Sequence, residues 1–174
     1  MVKRILFPFG AVLVILLVVA GCGKPEEGMN ELSLKQLEMK LDNHETFLLL
    51  TFAADENAVS KTDYIKAYDD SLKRGGLTGY YFNFEGESKE AVDEFGKKYT
   101  HPKSKGWNPI TDGLGIVDKG GVIDEYGTHQ AEGLIEQRAK DNDSFLDKDE
   151  MKDIDSGVKE MLEYIQVNNV ELTD

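Results

Sequence analysis

Apolar residues in this chain fall into short runs of strand length, separated by stripes of helical spacing. Phe47–Phe52 (FLLLTF) is almost entirely apolar, which is typical of a strand buried on both faces of a sheet. Leu77–Phe84 (LTGYYFNF) is rich in aromatic residues and predicts a second strand. Leu114–Asp118 and Val122–Tyr126 flank Lys119-Gly120-Gly121, a spacing that predicts a tight β-hairpin. The pattern therefore predicts about four strands.

Helical stripes lie before, between and after these strands. We expect one helix to begin at Ser33, a second to cover Lys61–Lys73 and a third to begin at Ser88. Asp147 and Glu150 form a capping-box-like start for a long last helix. The apolar residues of the four stripes are Leu34, Leu37 and Leu41, then Ile65, Tyr68 and Leu72, then Val92, Phe95 and Tyr99, and finally Met151, Ile154, Val158, Met161, Leu162 and Ile165.

Strands that are joined through a helix are expected to be parallel, whereas the hairpin adds an antiparallel pair. The predicted fold class is therefore α/β, with a mixed sheet of about four strands and helices on both faces. Residues 101–113 contain prolines and glycines and predict a loop, and residues 128–146 fit either a short helix or a turn. The length of 174 residues argues for one folded domain.

The charge and the cysteine content exclude several classes of function. The chain has 33 Asp and Glu residues against 20 Lys and Arg residues, which gives a formal charge of −13. A general nucleic-acid-binding protein needs a basic surface, so we expect no nucleic-acid partner. The single cysteine excludes an internal disulfide and any site that is built from two thiolates.

The first residues have the pattern of a secretory leader. Lys3 and Arg4 precede an apolar run, Ile5–Ala20, that is shorter than the roughly 20 residues of a membrane-spanning helix. The run ends in Val19-Ala20-Gly21-Cys22, which resembles the lipobox of bacterial lipoproteins. The resemblance implies a signal peptide over residues 1–21 and a lipid-modified Cys22. The alternative is an uncleaved anchor that contains this cysteine.

A lipidated Cys22 would hold the protein on the extracytoplasmic face of a cell membrane. Acyl chains contribute about 0.8 kcal/mol per buried methylene, so the attachment is effectively permanent. Loss of the leader removes the two cations Lys3 and Arg4 and changes the formal charge from −13 to −15. Anionic lipid repels such an acidic domain, so we expect it to stand off the membrane on a flexible tether, residues 22–30. Residues 169–174 are expected to form a tail.

The order of elements over residues 31–168 resembles that of a thioredoxin-like domain. The resemblance rests on the strand FLLLTF, the helix after it, the strand LTGYYFNF, the helix that ends in FGKKY, a proline-containing loop, the hairpin and the terminal amphipathic helix. Redox-active members of that family carry Cys-x-x-Cys just after the first of these strands, where this chain has Ala53–Ser60 (AADENAVS). Glu56 and Val59 stand near the two thiol positions, so we expect no thiol–disulfide exchange.

Two further features bear on this resemblance. The family has a cis-proline before its third strand, and Pro109 is the candidate here, although the strand starts later than the family pattern places it. The stretch after the hairpin is longer than a minimal thioredoxin needs, which implies an insertion around residues 130–147.

These features predict a non-enzymatic binding or accessory module for an envelope or secreted protein. The predicted contact surface joins the loop after the first strand, Asp55, Glu56 and Asn57, to Trp107, Asn108 and Pro109. An exposed tryptophan in such a loop would be a hot spot for a protein partner; the alternative is that Trp107 folds back onto the core. Candidate partners include a dedicated thiol oxidoreductase and a secreted peptide's transport or immunity system.

The alternative function is a non-redox enzyme that uses carboxylates and a histidine such as His129. The three histidines, His44, His101 and His129, form no HxxxH or HxH pair, so we expect no metal site. The acidic run Asp141–Asp155 lacks the turn glycine and the final glutamate of a calcium loop. The chain has no P-loop, GxGxxG, GxSxG or HExxH motif, so no cofactor is expected.

Overall fold

A computed structural model describes residues 25–104, 106–110, 113–125 and 133–173 of the chain. The predicted leader, Cys22 and His129 lie outside these described residues. The described part is a mixed α/β structure in which a central sheet is covered by helices.

The sheet has five strands, one more than the sequence predicts. They are β1 (Gly28–Glu31), β2 (Phe47–Phe52), β3 (Thr78–Asn83), β4 (Gly113–Asp118) and β5 (Gly121–Glu125). Their order in the sheet is β1-β3-β2-β4-β5. The strands β1, β3 and β2 run parallel, whereas β4 is antiparallel to both β2 and β5. The expected parallel pairing through helices and the expected antiparallel hairpin are therefore confirmed.

The fifth strand, β1, lies where the sequence predicts only a flexible tether. The prediction for residues 22–30 is thus wrong from Gly28 onwards. The sequence Gly-Met-Asn-Glu lacks the β-branched and aromatic residues that mark a strand, and pairing with β3 decides its conformation instead. The Gly28 N–H donates to the Leu77 carbonyl at 2.8 Å, and the Asp69 carboxylate accepts from the outward-pointing N–H of Met29 at 2.9 Å.

The described residues form six helices, of which four lie between strands and two follow the last strand. They are α1 (Leu34–Asp42), α2 (Glu56–Lys61), α3 (Tyr64–Arg74), α4 (Lys89–Tyr99), α5 (Leu134–Asp141) and α6 (Lys148–Asn168). The predicted caps Ser33, Ser88 and Asp147 each accept a hydrogen bond from a backbone N–H in the first turn of their helix. Glu150, however, pairs with the Arg138 guanidinium at 2.5 Å and does not complete a capping box.

The helix that is predicted over Lys61–Lys73 begins at Tyr64 as α3, and Thr62 and Asp63 separate it from the short helix α2. Asp63 has a left-handed backbone with φ of 56°. The segment before α6 holds this conformation, because the Phe145 N–H donates to the Thr62 carbonyl at 2.9 Å and the Ser144 hydroxyl donates to the Asp63 carboxylate at 2.9 Å. Phe145 itself is fully buried against the ring of Tyr64. The segment that was ambiguous in sequence therefore shapes the helix pair α2–α3.

The strand β2 supplies side chains to two separate cores, one on each face of the sheet. Leu48, Leu50 and Phe52 pack on the face that α2, α3, α5 and α6 cover. Phe47 and Leu49 pack on the opposite face against α1 and α4. Because side chains alternate along a strand, a strand that is buried on both sides is apolar at nearly every position, and Thr51 is the one polar residue of β2. Helices on both faces, as the sequence predicts, are confirmed.

The end of the chain is not a free tail. The Thr173 N–H donates to the Thr46 carbonyl at 2.7 Å, and the Thr46 N–H donates to the Thr173 hydroxyl at 2.7 Å. Val170 and Leu172 pack against the core on the α6 face. The prediction of a tail over residues 169–174 is thus wrong as far as Thr173, because Thr46 provides backbone partners that a sequence pattern does not reveal.

The predicted hairpin is tight and is pressed against the end of α1. Lys119 and Gly120 have φ angles of 50° and 79°, as a two-residue hairpin turn requires. A Cβ atom at Gly120 would lie 2.1 Å from the Leu41 carbonyl oxygen. This position therefore demands glycine for two reasons, a left-handed backbone and a close approach of another backbone.

We expect Gly120→Ala to destabilise the protein more than Gly86→Ala. Gly86 also has a positive φ, of 85°, but nothing lies within 4 Å of a Cβ atom there. Alanine at Gly86 should cost about 1 kcal/mol of backbone strain, and alanine at Gly120 about 1–3 kcal/mol more because of steric overlap. Urea unfolding followed by circular dichroism measures both, and equal losses in the two variants would contradict the close approach.

Candidate binding site

One edge of the sheet collects the ends of four strands. The parallel strands β1, β3 and β2 end there, and the antiparallel strand β4 begins there, with Gly113 paired to Thr51. After β2 the chain passes to α3 on one face, and after β3 it passes to α4 on the other face. Such a divergence of two neighbouring strands opens a crevice at their carboxyl ends, which is where open α/β sheets bind ligands.

The predicted residues Asp55, Glu56 and Asn57 lie in this crevice at the start of α2. The Asp55 carboxylate accepts hydrogen bonds from the N–H groups of Asn57 at 3.0 Å and Ala58 at 3.3 Å. It therefore caps the helix, which favours a negative charge at its N-terminus. All three side chains are exposed.

Asn83, at the end of β3, organises the crevice and was missed in the sequence. Its amide oxygen accepts from the N–H groups of Ala54 and Glu85, both at 3.1 Å. Its amide nitrogen donates to the Ala54 carbonyl at 2.8 Å. The side chain thus fastens the turn after β2 to the turn after β3. The only sequence signal is an asparagine at the end of an aromatic strand, where turns favour this residue.

Two adjacent cavities form a groove along this edge, which we call the carboxyl-edge groove. One has a volume of ≈ 370 Å³ and is lined by Glu31, Leu32, Asp55, Glu56, Asn57, Phe82, Asn83 and Glu85. The other has a volume of ≈ 480 Å³ and is lined by Glu31, Phe52, Glu56, Val59, Ser60, Asp63, Ile65, Lys66, Tyr81 and Asn83. Glu31, Glu56 and Asn83 belong to both.

Negative charge dominates this groove. Its one lining cation, Lys66, is paired with Asp70 at 2.5 Å. Burial raises the pKa of the Tyr81 hydroxyl above its ordinary value of 10.0, and the charge of Glu31 and a hydrogen bond to it raise that pKa further. The Tyr81 hydroxyl is thus a hydrogen-bond donor to the Glu31 carboxylate.

The other half of the predicted surface is anchored to α4. The centre of the Trp107 indole lies 6.0 Å from the centre of the Phe95 ring. The backbone N–H of Trp107 donates to the Thr100 hydroxyl at 3.2 Å. A Cβ atom at Gly96 would meet the Trp107 carbonyl oxygen at 2.8 Å and the Pro109 ring at 3.0 Å. Trp107 is half-buried, Pro109 is buried and Asn108 is exposed.

The proline loop also differs from the family feature that it resembles. The Asn108–Pro109 peptide bond is trans. Asp55, Glu56 and Asn57 lie at the start of α2, directly after the turn at Ala54 that Asn83 holds, whereas Trp107 and Pro109 rest on α4. The two halves of the predicted surface are therefore held by different elements. Glu56 and Asn57 line the groove and Asn108 is exposed, so these three offer side chains to a partner.

The histidines within the described residues lie at the opposite edge of the sheet. His44 precedes β2, and its ring nitrogen lies 3.2 Å from the Lys119 carbonyl oxygen. His101 Nε2 lies 3.9 Å from the Asp118 carboxylate. His129, on which the enzymatic alternative depends, lies outside the described residues. Across those residues, no group of three or more His, Cys, Asp and Glu side chains is arranged to hold a metal ion.

Neither sequence nor structure comparison supplies a relative. No protein-family model, curated protein or solved structure matches the chain. Of the helices that the structure describes, none is both long and apolar enough to span a membrane.

We expect Asn83→Ala to destabilise the protein by about 1–3 kcal/mol, because it leaves the N–H and the carbonyl of buried Ala54 without their partner. Asn57→Ala is the matched control, since it removes the same side chain from an exposed helical position and should cost less than about 0.5 kcal/mol. Urea unfolding of both variants measures the difference. A loss at Asn83 no larger than at Asn57 would show that the amide does not fasten the two turns.

Proposed function

We propose that this chain is a lipid-anchored, extracytoplasmic protein whose thioredoxin-like domain has no redox chemistry and acts as a binding or accessory module for an envelope or secreted protein. One observation carries the proposal. An open groove lies at the sheet edge after β2, and the residues that follow this strand are Asp55, Glu56 and Asn57, none of which is a nucleophilic thiol.

The element order supports the thioredoxin-like assignment. A buried strand, a helical segment, a parallel strand and a further helix are followed by a proline-containing loop, an antiparallel hairpin and a long terminal helix. Two departures accompany this order: the trans bond before Pro109 and the additional helix α5 before α6. Both lie outside the sheet, so the arrangement of strands is independent of them.

The cysteine count supports a role without thiol chemistry. Thiol–disulfide exchange needs an attacking thiolate and a second sulfur to resolve the mixed disulfide. The chain has one cysteine, Cys22, and it stands in the lipobox-like sequence Val19-Ala20-Gly21-Cys22. A sulfur that carries lipid cannot attack a disulfide. The domain is therefore left with binding surfaces rather than a redox centre.

The anchor is tested by Cys22→Ser. We expect the wild-type protein to incorporate a clickable palmitate analogue in cells and to sediment with membranes, and the serine variant to lose the label because it has no acceptor sulfur. Gly23→Ser is the control, since it alters the next residue and keeps the sulfur. Labelling of Cys22→Ser, or a free titratable thiol in the wild-type protein, would overturn the lipid anchor.

The contact surface is tested by cross-linking in intact cells. We expect Glu56→Ala/Asn57→Ala/Asn108→Ala to reduce the yield of the cross-linked partner by about tenfold, because these residues are the exposed members of the predicted contact surface and Glu56 and Asn57 line the groove. The control variant, Asp153→Ala/Glu160→Ala/Gln166→Ala, changes three exposed residues of α6. If both variants capture the same proteins in the same yield as wild type, the groove is not the contact surface.

A further inference from the structure

We infer that the carboxyl-edge groove binds a cationic, extended peptide segment, with Lys or Arg side chains lying over its apolar floor. The inference rests on the proposed function and deepens it, because it names the chemistry of the partner. Four properties of the groove favour this occupant: its apolar floor, its hydrogen-bonding groups, its charge and its shape.

The floor of the groove suits the stem of a long basic side chain. Phe52 is 1% exposed, and the half-buried ring of Tyr81 stacks beside it at 6.4 Å with an interplanar angle of 20°. Val59 and Ile65 are partly buried on the same side. Lys and Arg side chains lay their methylene stems along such apolar surface, and their charged ends are attracted to aromatic faces.

The backbone donors around the groove are already used within the protein. Asn83 accepts from the N–H groups of Ala54 and Glu85, and Asp55 accepts from those of Asn57 and Ala58. These N–H groups are the ones that would otherwise hold an anion at this edge of the sheet. With these N–H groups paired internally, the charged groups that line both cavities are the carboxylates of Glu31 and Glu56, which favour a cation over an anion.

The charge of the groove is not neutralised by its own protein. Among the ion pairs between described residues, none involves Glu31 or Glu56, the two carboxylates that line both cavities. Lys66 is held by Asp70. A cationic partner would supply the missing counter-charge, whereas an acidic peptide, a nucleic acid or anionic lipid would be repelled.

The shape of the groove favours an extended segment. Its two cavities adjoin each other and share Glu31 and Glu56. Alternate side chains of an extended chain point to the same side, so two basic residues separated by one other residue can enter neighbouring cavities. The occupant is therefore a strand-like stretch in which Lys or Arg recurs at every second position.

The test uses the full lipidated chain in neutral detergent. The probe is a fluorescein-labelled peptide of about ten residues in which Lys and Val alternate, and a Glu-Val peptide of the same length is the charge-reversed probe. Fluorescence anisotropy measures binding. We expect the Lys-Val peptide to bind, the Glu-Val peptide not to bind, and the affinity for the Lys-Val peptide to fall as NaCl is raised.

The groove variant is Glu31→Gln/Glu56→Gln/Asp63→Asn, which keeps side-chain shape and removes three charges. Asparagine is also compatible with the left-handed backbone of Asp63. The matched control, Glu38→Gln/Glu87→Gln/Glu94→Gln, removes three charges from the rim of another apolar cavity, of ≈ 250 Å³, between α1 and α4. We expect the affinity to fall about tenfold in the groove variant and less than about twofold in the control.

Three results of the peptide-binding experiment would overturn the inference. An equal loss in both variants would mean that the peptide responds only to total charge, and a larger loss in the control would place it between α1 and α4. Absence of Lys-Val binding to the wild-type protein would exclude a cationic occupant. The cross-linking experiment separates this failure from failure of the proposed function. Capture that depends on Glu56, Asn57 and Asn108 would still show a partner at the predicted contact surface, but one that is not a cationic peptide in the groove.

Discussion

Burial of β2 on both faces is the constraint on which the rest of this structure depends. The strand pairs with β3 on one side and β4 on the other, so all its backbone groups lie inside the sheet. Its side chains alternate between two cores, with Leu48 and Leu50 on one face and Phe47 and Leu49 on the other. A strand in this position needs helices on both faces, and the chain can supply them only by crossing to opposite sides after successive strands.

The groove is a consequence of those two crossings. After β2 the chain passes to α2 and α3 on one face, and after β3 it passes to α4 on the other face, so the space between the two strand ends stays open as a groove. The gap would widen or close freely if the two turns were independent. Asn83 prevents this by bonding both the N–H and the carbonyl of Ala54. A single amide side chain thus converts a topological gap into a surface of defined shape, which a binding protein needs for preorganisation.

Sequence patterns predict those parts of the fold that depend on contacts within a single strand, turn or helix. The apolar run of β2, the hairpin around Gly120 and the caps Ser33 and Ser88 follow from side-chain alternation, turn geometry and hydrogen bonds within one helical turn. The parts that sequence reasoning missed have distant causes. The strand at Gly28 forms because β3 offers its edge, and the break at Asp63 persists because Ser144 bonds to it from the far end of the chain.

The same distinction applies to the site. Asp55 could be predicted because the turn after a buried strand is a common functional position, whereas Asn83 acquires its role only when β3 lies beside β2. Trp107 could be placed in a loop, but its half-burial depends on Phe95 and on the absence of a side chain at Gly96. Long-range contacts of this kind leave no periodic signal in the residues that make them.

The position of β1 bears on how the proposed lipid anchor would orient the domain at the membrane. Because β1 is parallel to β3 and β2, its first residue, Gly28, lies at the edge of the sheet opposite to the groove. With lipid on Cys22, the connection to Gly28 would span at most about 20 Å when fully extended. So short a link would hold the amino edge of the sheet towards the membrane, whereas repulsion from anionic lipid would keep the acidic body of the domain off the surface. The carboxyl-edge groove would then face away from the bilayer, where a partner outside the membrane can reach it.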